Sequence, residues 1–559
     1  MAPVSGRRGA VRTRLRSALA SGAALLAVLA AGCGEAGDDG SGAPPPSAGT
    51  VPDSARSGGT AVVAGRAELS SMNALVSTGS GAAQVQRHVL FTTLVRYDSL
   101  LRVRPYLARS WELNEDSTEV VFRLRRDVRW HDGEPTTAED VAFTFRRATD
   151  PDVPFPNRSY FARWDSVEVV DEYTLRFHVR PAYALLLGWA QTPIMPEHVL
   201  GSVPDSALRT HPFGTRSPVG NGPYRFVEHR PGERWVFEAN SDFPEELGGR
   251  PHLDRLVYRV VPDPAARMAE LRSGGVDLVP RLAPSRVPEV RSSPDLQLES
   301  YPSSEYVFVT WNQRRPLFES ARVRRALTMA IDRPTLVESI RGGFGRVADA
   351  PMGPWHWAFD STWTPLPHDP DSARSLLEAA GWRDRDGDGI RERNGRSFSF
   401  ELVTAGPSQR RDAALLIQSD LREVGVEAAP GVMEASALTS AITGPERDYG
   451  AALLSWTRDL VVDDRDLWSC DRPDAPFAFA GYCSPEVDAV VDSLAVARSR
   501  RQRRRLLGRY REILVRDQPY TFLYHVNRLD AHRRSLRGLV LDARGAWTSA
   551  RGWWLAPER

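Results

Sequence analysis

At 559 residues and 62.0 kDa the chain is too long for one hydrophobic core, and ordinary domain sizes divide it into about two to four units. Its 72 basic and 71 acidic side chains balance to a formal charge of +1, which leaves no electrostatic footprint for nucleic acid. Every basic residue among the 72 is Arg, so a P-loop lysine and a Schiff-base lysine are both excluded.

The chain opens on a basic stretch with Arg7, Arg8, Arg12, Arg14 and Arg16, followed by an apolar run over 18–31 that is too short to span a bilayer comfortably. This pattern predicts an export signal over 1–32. Arg7-Arg8 lacks the Phe-Leu that usually follows a twin arginine. Ala30-Ala31-Gly32-Cys33 resembles a bacterial lipobox, with Leu29 one place earlier than the usual leucine. That resemblance makes Cys33 the expected lipidation site, on a membrane facing the periplasm or the cell exterior. Residues 33–58, rich in Gly, Ser, Pro and Asp, cannot bury enough apolar surface to fold and read as a tether. With Cys33 assigned to lipid, Cys470 and Cys483 remain as a disulfide or as two buried thiols.

Beyond the tether, alternating apolar residues predict strands over 60–64, 119–124, 166–170, 174–179, 235–238 and 256–261. Helical spacing appears over 264–273, 321–331, 369–380, 408–424 and 501–516. Asp369-Pro370 and Gly381 bracket the third of these as a capped start and a glycine stop. The mixture predicts an α/β protein without internal repeats. The run Arg500, Arg501, Arg503, Arg504 and Arg505 reads as a solvated helix face.

Several short segments then follow one another in a characteristic order. They are Tyr97-Asp98, Pro105-Tyr106-Leu107-Ala108, Ser110-Trp111-Glu112, Phe122-Arg123-Leu124-Arg125, and Val128-Arg129-Trp130-His131-Asp132-Gly133-Glu134-Pro135 with Thr137-Ala138-Glu139-Asp140-Val141. Further on come Val219-Gly220-Asn221-Gly222-Pro223-Tyr224 and Arg272-Ser273-Gly274-Gly275-Val276-Asp277. The second half adds Val323-Arg324-Arg325-Ala326-Leu327, Ala330-Ile331-Asp332-Arg333, and Leu376-Leu377-Glu378-Ala379-Ala380-Gly381-Trp382. Taken in order, these segments resemble the family 5 extracellular solute-binding proteins, the peptide, nickel and related receptors of ABC importers. Most of these residues read as structural, with His131 and Asp132 in a turn after a strand and Asp140 starting a helix.

The resemblance implies a two-lobed periplasmic-binding-protein-like clamshell, class II and of the large peptide-receptor type, with an inserted subdomain in lobe I. Lobe I is expected over 59–305 and 525–559, the inserted subdomain over about 98–218, and lobe II over 306–524. The crossings are expected near 300–306 and 517–524. The implied function is that of a monomeric lipoprotein that captures a small solute, a short peptide, for an ABC permease and its ATPase.

Ser455-Trp456-Thr457-Arg458-Asp459 resembles the peptide receptors' Trp-x-x-Asp segment, whose aspartate accepts the peptide ammonium. The role carries over to Asp459, since an ionised carboxylate is an acceptor suited to a cation. The family usually continues with Asp-Pro, whereas here the chain reads Leu460-Val461-Val462-Asp463-Asp464. Thr78, Gly79 and Ser80 match the other ligand-flanking loop, where backbone groups can add an extended peptide as a strand. Trp355, His356, Trp357 and Phe359 are a candidate wall for side-chain pockets or ordinary packing. The Cys470 and Cys483 pair falls where dipeptide-type receptors carry a disulfide.

No catalytic, cofactor or metal site is assigned. The zincin HExxH and hydrolase GxSxG patterns are absent from the sequence, and the Asp463 and Asp464 pair is the only candidate for an exported hydrolase. Gly343-Phe344-Gly345-Arg346-Val347-Ala348 resembles a dinucleotide fingerprint but follows a helix and runs toward prolines. His356 has no second histidine at metal-ligand spacing. Asp384-Arg385-Asp386-Gly387-Asp388-Gly389 resembles the front of a calcium loop, yet Gly395 stands where a bidentate Glu is needed, which favours a tight turn. Within the binding class, a nickel chelate, a sugar or another non-peptide solute is the alternative ligand.

Overall fold

The structure, a computed structural model, describes residues 56–557 apart from 78, 157, 162–163, 181–189, 407, 459 and 461–462. The signal segment, Cys33 and most of the tether therefore lie outside the described residues.

Two long antiparallel strands, Leu296–Trp311 and Tyr520–Arg533, form the axis of the molecule. Residues 296–302 pair with 527–533, and 306–310 pair with 520–525. Between the two stretches the register shifts, from Pro302 opposite Asn527 to Tyr306 opposite His525. Such an irregularity leaves backbone groups without ladder partners. Ser303 meets this need, its hydroxyl donating to the Val526 carbonyl at 2.7 Å. The segments read from sequence as crossings lie in or beside these strands.

The hydrogen-bonded array continues on both sides of the axis. One side runs through Leu278–Val279, Thr60–Gly65, Arg255–Val260, Arg234–Ala239 and Tyr224–Arg230. The other runs through Ala451–Thr457, Ser399–Thr404 and Glu427–Val432. These are the sheets of two α/β lobes. In the second lobe the period of two along the strand divides its core. Tyr306 and Phe308 pack on one face with Leu454, Tyr520 and Phe522, while Val307, Val309 and Trp311 pack on the other with Leu402 and Leu453.

An inserted antiparallel sheet carries Ala108–Leu113, Glu119–Leu124, Thr174–Val179 and Trp164–Asp171 in that order. Val120, Phe122 and Leu124 point inward at every second position, as do Leu175, Phe177 and Val179. Helix Ala138–Thr149 packs on this sheet. Its capping box has Thr137 N–H donating to Asp140 Oδ2 at 2.8 Å, and Trp130 and Glu197 N–H groups also reach that carboxylate. Asp140 is thus a structural residue, and so is His131, whose Nε2 lies 3.0 Å from the Gly222 carbonyl. Gly133, at φ +102°, supplies the turn between them.

The other helices begin and end as their caps dictate. Asp369 accepts from Ser372 N–H at 2.9 Å to start Pro370–Ala379, and Gly381 follows at φ +86°. Gly343 lies between helix Arg333–Arg341 and strand Gly345–Val347, which Gly345 opens, the reverse of a dinucleotide turn. Cys470 and Cys483 are bonded, with their Cα atoms 4.9 Å apart. No helix among the described residues is long and apolar enough to cross a membrane.

Candidate ligand-binding site

Ser455, Trp456 and Thr457 end strand Ala451–Thr457 and pair with Val307, Tyr306 and Glu305, beside the register shift of the long strands. The fold therefore sets this segment at the junction of the lobes. Trp456 is half-buried, edge-on to Phe477 with ring centroids 5.0 Å apart. Thr457 is exposed. Asp459 lies outside the described residues, but Arg458 before it is anchored to Ser304. Arg458 N–H donates to Ser304 O at 3.0 Å, and Ser304 hydroxyl donates to Arg458 O at 2.8 Å.

The side chain of Arg458 adds a second anchor. It is buried, and its Nη1 lies 2.7 Å from Asp464 Oδ2. Tyr510 hydroxyl donates to the same carboxylate, and Trp468 Nε1 donates to Tyr510 Oη at 2.7 Å. The coulombic pull of Asp464 holds the Arg458 guanidinium above its ordinary pKa against the opposing effect of burial. This network closes the six-residue step from Arg458 to Asp464 around the candidate ligand loop. It also gives Asp464, one of the two acids of the paired-acid hydrolase reading, a structural partner in Arg458. The sequence signal for it was slight: an Arg and an Asp bracketing a loop.

Two further polar atoms stand at the junction. Tyr306 Oη and His525 Nδ1 are buried without a hydrogen-bond partner among the described residues. Burial, followed by the Arg346 charge, pushes His525 down to about 3, so its imidazole is neutral. Both atoms can take a hydrogen bond from a solute or water.

Trp357 meets both lobes. It packs, as does Leu460, against a small cluster made of Tyr97 and Leu101 from the first lobe and Trp355 from the second. Its ring carries Arg500, with the guanidinium carbon 4.5 Å from the ring centroid, and Arg503 at 5.8 Å. The expectation of a solvated arginine face holds for Arg501 and Arg505, which are exposed, and is corrected at Arg500 and Arg503, which are half-buried against Trp357. Arg500 donates to the Leu100 carbonyl across the cleft and Arg504 to the Trp357 carbonyl at 3.0 Å, while Arg498 reaches Ser117 Oγ at 2.5 Å. Periodicity registers a helix's own polarity and not the lobe that lies against it.

Of the other expected loop, Thr78 lies outside the described residues. Gly79 and Ser80 begin helix Ser80–Val85, and no hydrogen bond among the described residues joins them to 455–457. His356 is buried and pushed down to about 3 by burial and neighbouring arginines, with Nδ1 accepting from Ala358 N–H at 3.2 Å. Asp384, Asp386 and Asp388 bring their carboxylates together on an exposed turn. They cap the turn's own backbone, as in Gly387 N–H to Asp384 at 2.8 Å.

A cavity of about 630 Å³ opens beside this junction, with Arg87, Tyr97, Tyr106, Arg544 and Arg551 of the first lobe and Leu460 of the second in its lining.

Comparison with known proteins agrees with this architecture. The family described as bacterial extracellular solute-binding proteins, family 5 Middle, matches residues 102–475. The chain is 30% identical over 504 residues to the oligopeptide-binding protein AppA of Bacillus subtilis, covering 89% of this chain and 92% of that one. It is 26% identical to heme-binding protein A of Haemophilus influenzae, covering 74% and 77%. The structure of Bacillus subtilis AppA in complex with a nonapeptide superposes with a TM-score of 0.75 at 29% identity, over 90% of this chain and 100% of that one. Campylobacter jejuni NikZ with Ni(L-His) gives 0.74 at 24% identity, over 89% and 99%, a likeness of fold alone.

Proposed function

The chain belongs to the bacterial extracellular solute-binding proteins of family 5, and from this we propose that it captures a short peptide between its lobes and delivers it to an ABC permease. The observation that carries the peptide reading is the match to an oligopeptide-binding protein over nearly the whole of both chains. The position of Ser455-Trp456-Thr457 at the junction of the lobes agrees with it. In this reading the extended ligand lies along that segment, Asp459 receives its ammonium, and Thr78, Gly79 and Ser80 flank its other side. The lobes are 59–305 with 525–559, and 306–524, with about 98–218 as the insert. The register shift at 302–306 and 525–527 is the hinge, and Arg498 and Arg500 hold the closed state through first-lobe acceptors. The protein acts as a monomer that binds and releases its solute without chemistry.

Native mass spectrometry of the protein from its host, paired with small-angle scattering, tests this reading. A co-purifying peptide is expected, together with an increase in radius of gyration once it is removed. A bound heme, metal chelate or sugar in its place would overturn the peptide reading. An unchanged radius would overturn the clamshell closure.

Lipidation of Cys33 anchors the receptor on the outer face of a bacterial membrane, with 33–58 as its tether. Wild type is expected to fractionate with membranes as a chain beginning at Cys33, carrying more than one acyl chain because a single one holds only marginally. Cys33→Ser should be released or left unprocessed. A soluble wild type with an unmodified N-terminus past Cys33 would refute the anchor.

A further inference from the structure

Arg281 holds a left-handed backbone, at φ +56°, a conformation that costs a residue with a Cβ and suits glycine or asparagine. The long strand beside it fixes that conformation. Arg281 N–H donates to Asp530 Oδ1 at 2.8 Å, and the Tyr301 hydroxyl donates to Oδ2 of the same carboxylate at 2.6 Å. Leu282 N–H follows with a bond to the Leu529 carbonyl at 2.7 Å. Asp530 is fully buried, so a buried carboxylate is committed to holding a residue whose place glycine could take without strain. The cost is explained if the Arg281 side chain has a role that glycine cannot fill.

Its place is the junction of the lobes. Arg281 follows strand Leu278–Val279, which is parallel to Thr60–Gly65 with Leu278 level with Val63, and continuing that register brings Arg66 level with Arg281. The carboxyl ends of parallel strands are where open α/β sheets take their ligands, and the chain beyond Arg66 leads into the 78–80 loop. Arg528 lies opposite Tyr301, beside the register shift of the long strands. Glu305 faces the same junction and pairs with Thr457 of the Trp456 segment. No carboxylate of the described residues lies within ion-pairing distance of the Arg66, Arg281 or Arg528 guanidinium. Arg281 keeps solvent access, yet burial and then the Arg528 charge push it below its ordinary pKa, with Glu305 and Asp530 opposing and Arg66 adding to the effect. A planar fork of donors in that setting suits a carboxylate.

We propose that Arg281, with Arg528 and Arg66 beside it, is a specificity residue that receives a carboxylate of the captured solute at the hinge. In a peptide that group is the terminal carboxylate or an acidic side chain, which share one chemistry. The assignment rests on the peptide reading above and adds the ligand's anionic group to it. Asp530 and Tyr301 are positioning residues, since they act through the Arg281 backbone.

The test offers the full-length protein an equimolar pool of tri- to pentapeptides and reads what is bound by native mass spectrometry. Each member has a C-terminal amide twin, and each Glu-containing member has a Gln twin. At least one of the two carboxylates is expected to exceed its neutral twin by about ten- to a hundredfold, the range of a charged hydrogen bond left unmade, and the arm that shows it names the source. Arg281→Gly and Arg281→Asn both accept a left-handed backbone, so each should melt near the wild-type temperature while the preference falls to parity. Parity in wild type, or a preference that survives both substitutions, overturns the site and leaves the peptide reading in place. If both variants melt lower, Arg281→Lys decides, because it keeps the charge: a preference retained by Lys upholds the site, and one lost with it overturns the site. If no peptide is retained, the peptide reading fails, and citrate is measured against its triamide. Citrate retention that Arg281→Gly abolishes upholds the site, and any other result overturns it.

Discussion

Asp459→Asn is expected to lower peptide affinity by about two to three and a half orders of magnitude while leaving the fold intact. The substitution keeps the shape of the side chain and removes its charge. Deleting one partner of a buried ion pair costs about 3 to 5 kcal/mol, because the other charge stays buried without compensation, and about 1.4 kcal/mol is tenfold. The neighbouring guanidinium does not alter this expectation, since Arg458 is already matched by Asp464 at 2.7 Å. N-acetylation of the peptide should weaken binding to wild type and matter far less in Asp459→Asn, because both changes delete one contact. Calorimetry on the four combinations decides the matter. Additive losses, or wild-type affinity for the acetylated peptide, would sink the assignment and favour a solute without an ammonium.

Elements whose pattern is local were legible in the sequence. The alternation over 119–124 and 174–179 became strands with the same bounds, and helix Pro370–Ala379 starts at its Asp cap. The long strands were harder to read. Tyr306 to Trp311 is buried on both faces, so it shows no alternation, and Pro302-Ser303-Ser304 resembles a break in the chain. Only the tertiary pairing shows Ser303 completing the register shift from within the strand.

The site divides the same way. The Trp456 segment could be singled out because its residue types and order carry the resemblance, but its place beside the register shift could not be read from them. The roles of Arg498 and Arg500 were not legible, because their acceptors lie nearly four hundred residues away in sequence.

Asp464→Asn is expected to destabilise the protein by about 3 to 5 kcal/mol, although Asp464 touches no proposed ligand atom. The reason is the depth of its partner. Arg458 and Asp464 are both nearly inaccessible, at 5% and 3% exposure, and an exposed pair would contribute only about 0 to 1 kcal/mol. Asn leaves the Arg458 guanidinium buried with its charge unmatched, its Nε already lacking a hydrogen-bond partner among the described residues. Tyr510 loses its carboxylate acceptor as well. Replacing both charges, as in Arg458→Met with Asp464→Leu, should recover most of the loss, since a buried pair and an apolar pair of similar volume are often close in stability. Urea unfolding monitored by circular dichroism measures all three, and a loss under about 1 kcal/mol for Asp464→Asn would mean that water reaches the pair. Peptide binding separates stability from positioning. The double variant lacks the side-chain tie between 458 and 464 but keeps the Ser304 backbone anchors, so it should remain folded yet bind peptide more weakly than wild type. Undiminished affinity in that variant would show that the backbone anchors alone hold the ligand loop.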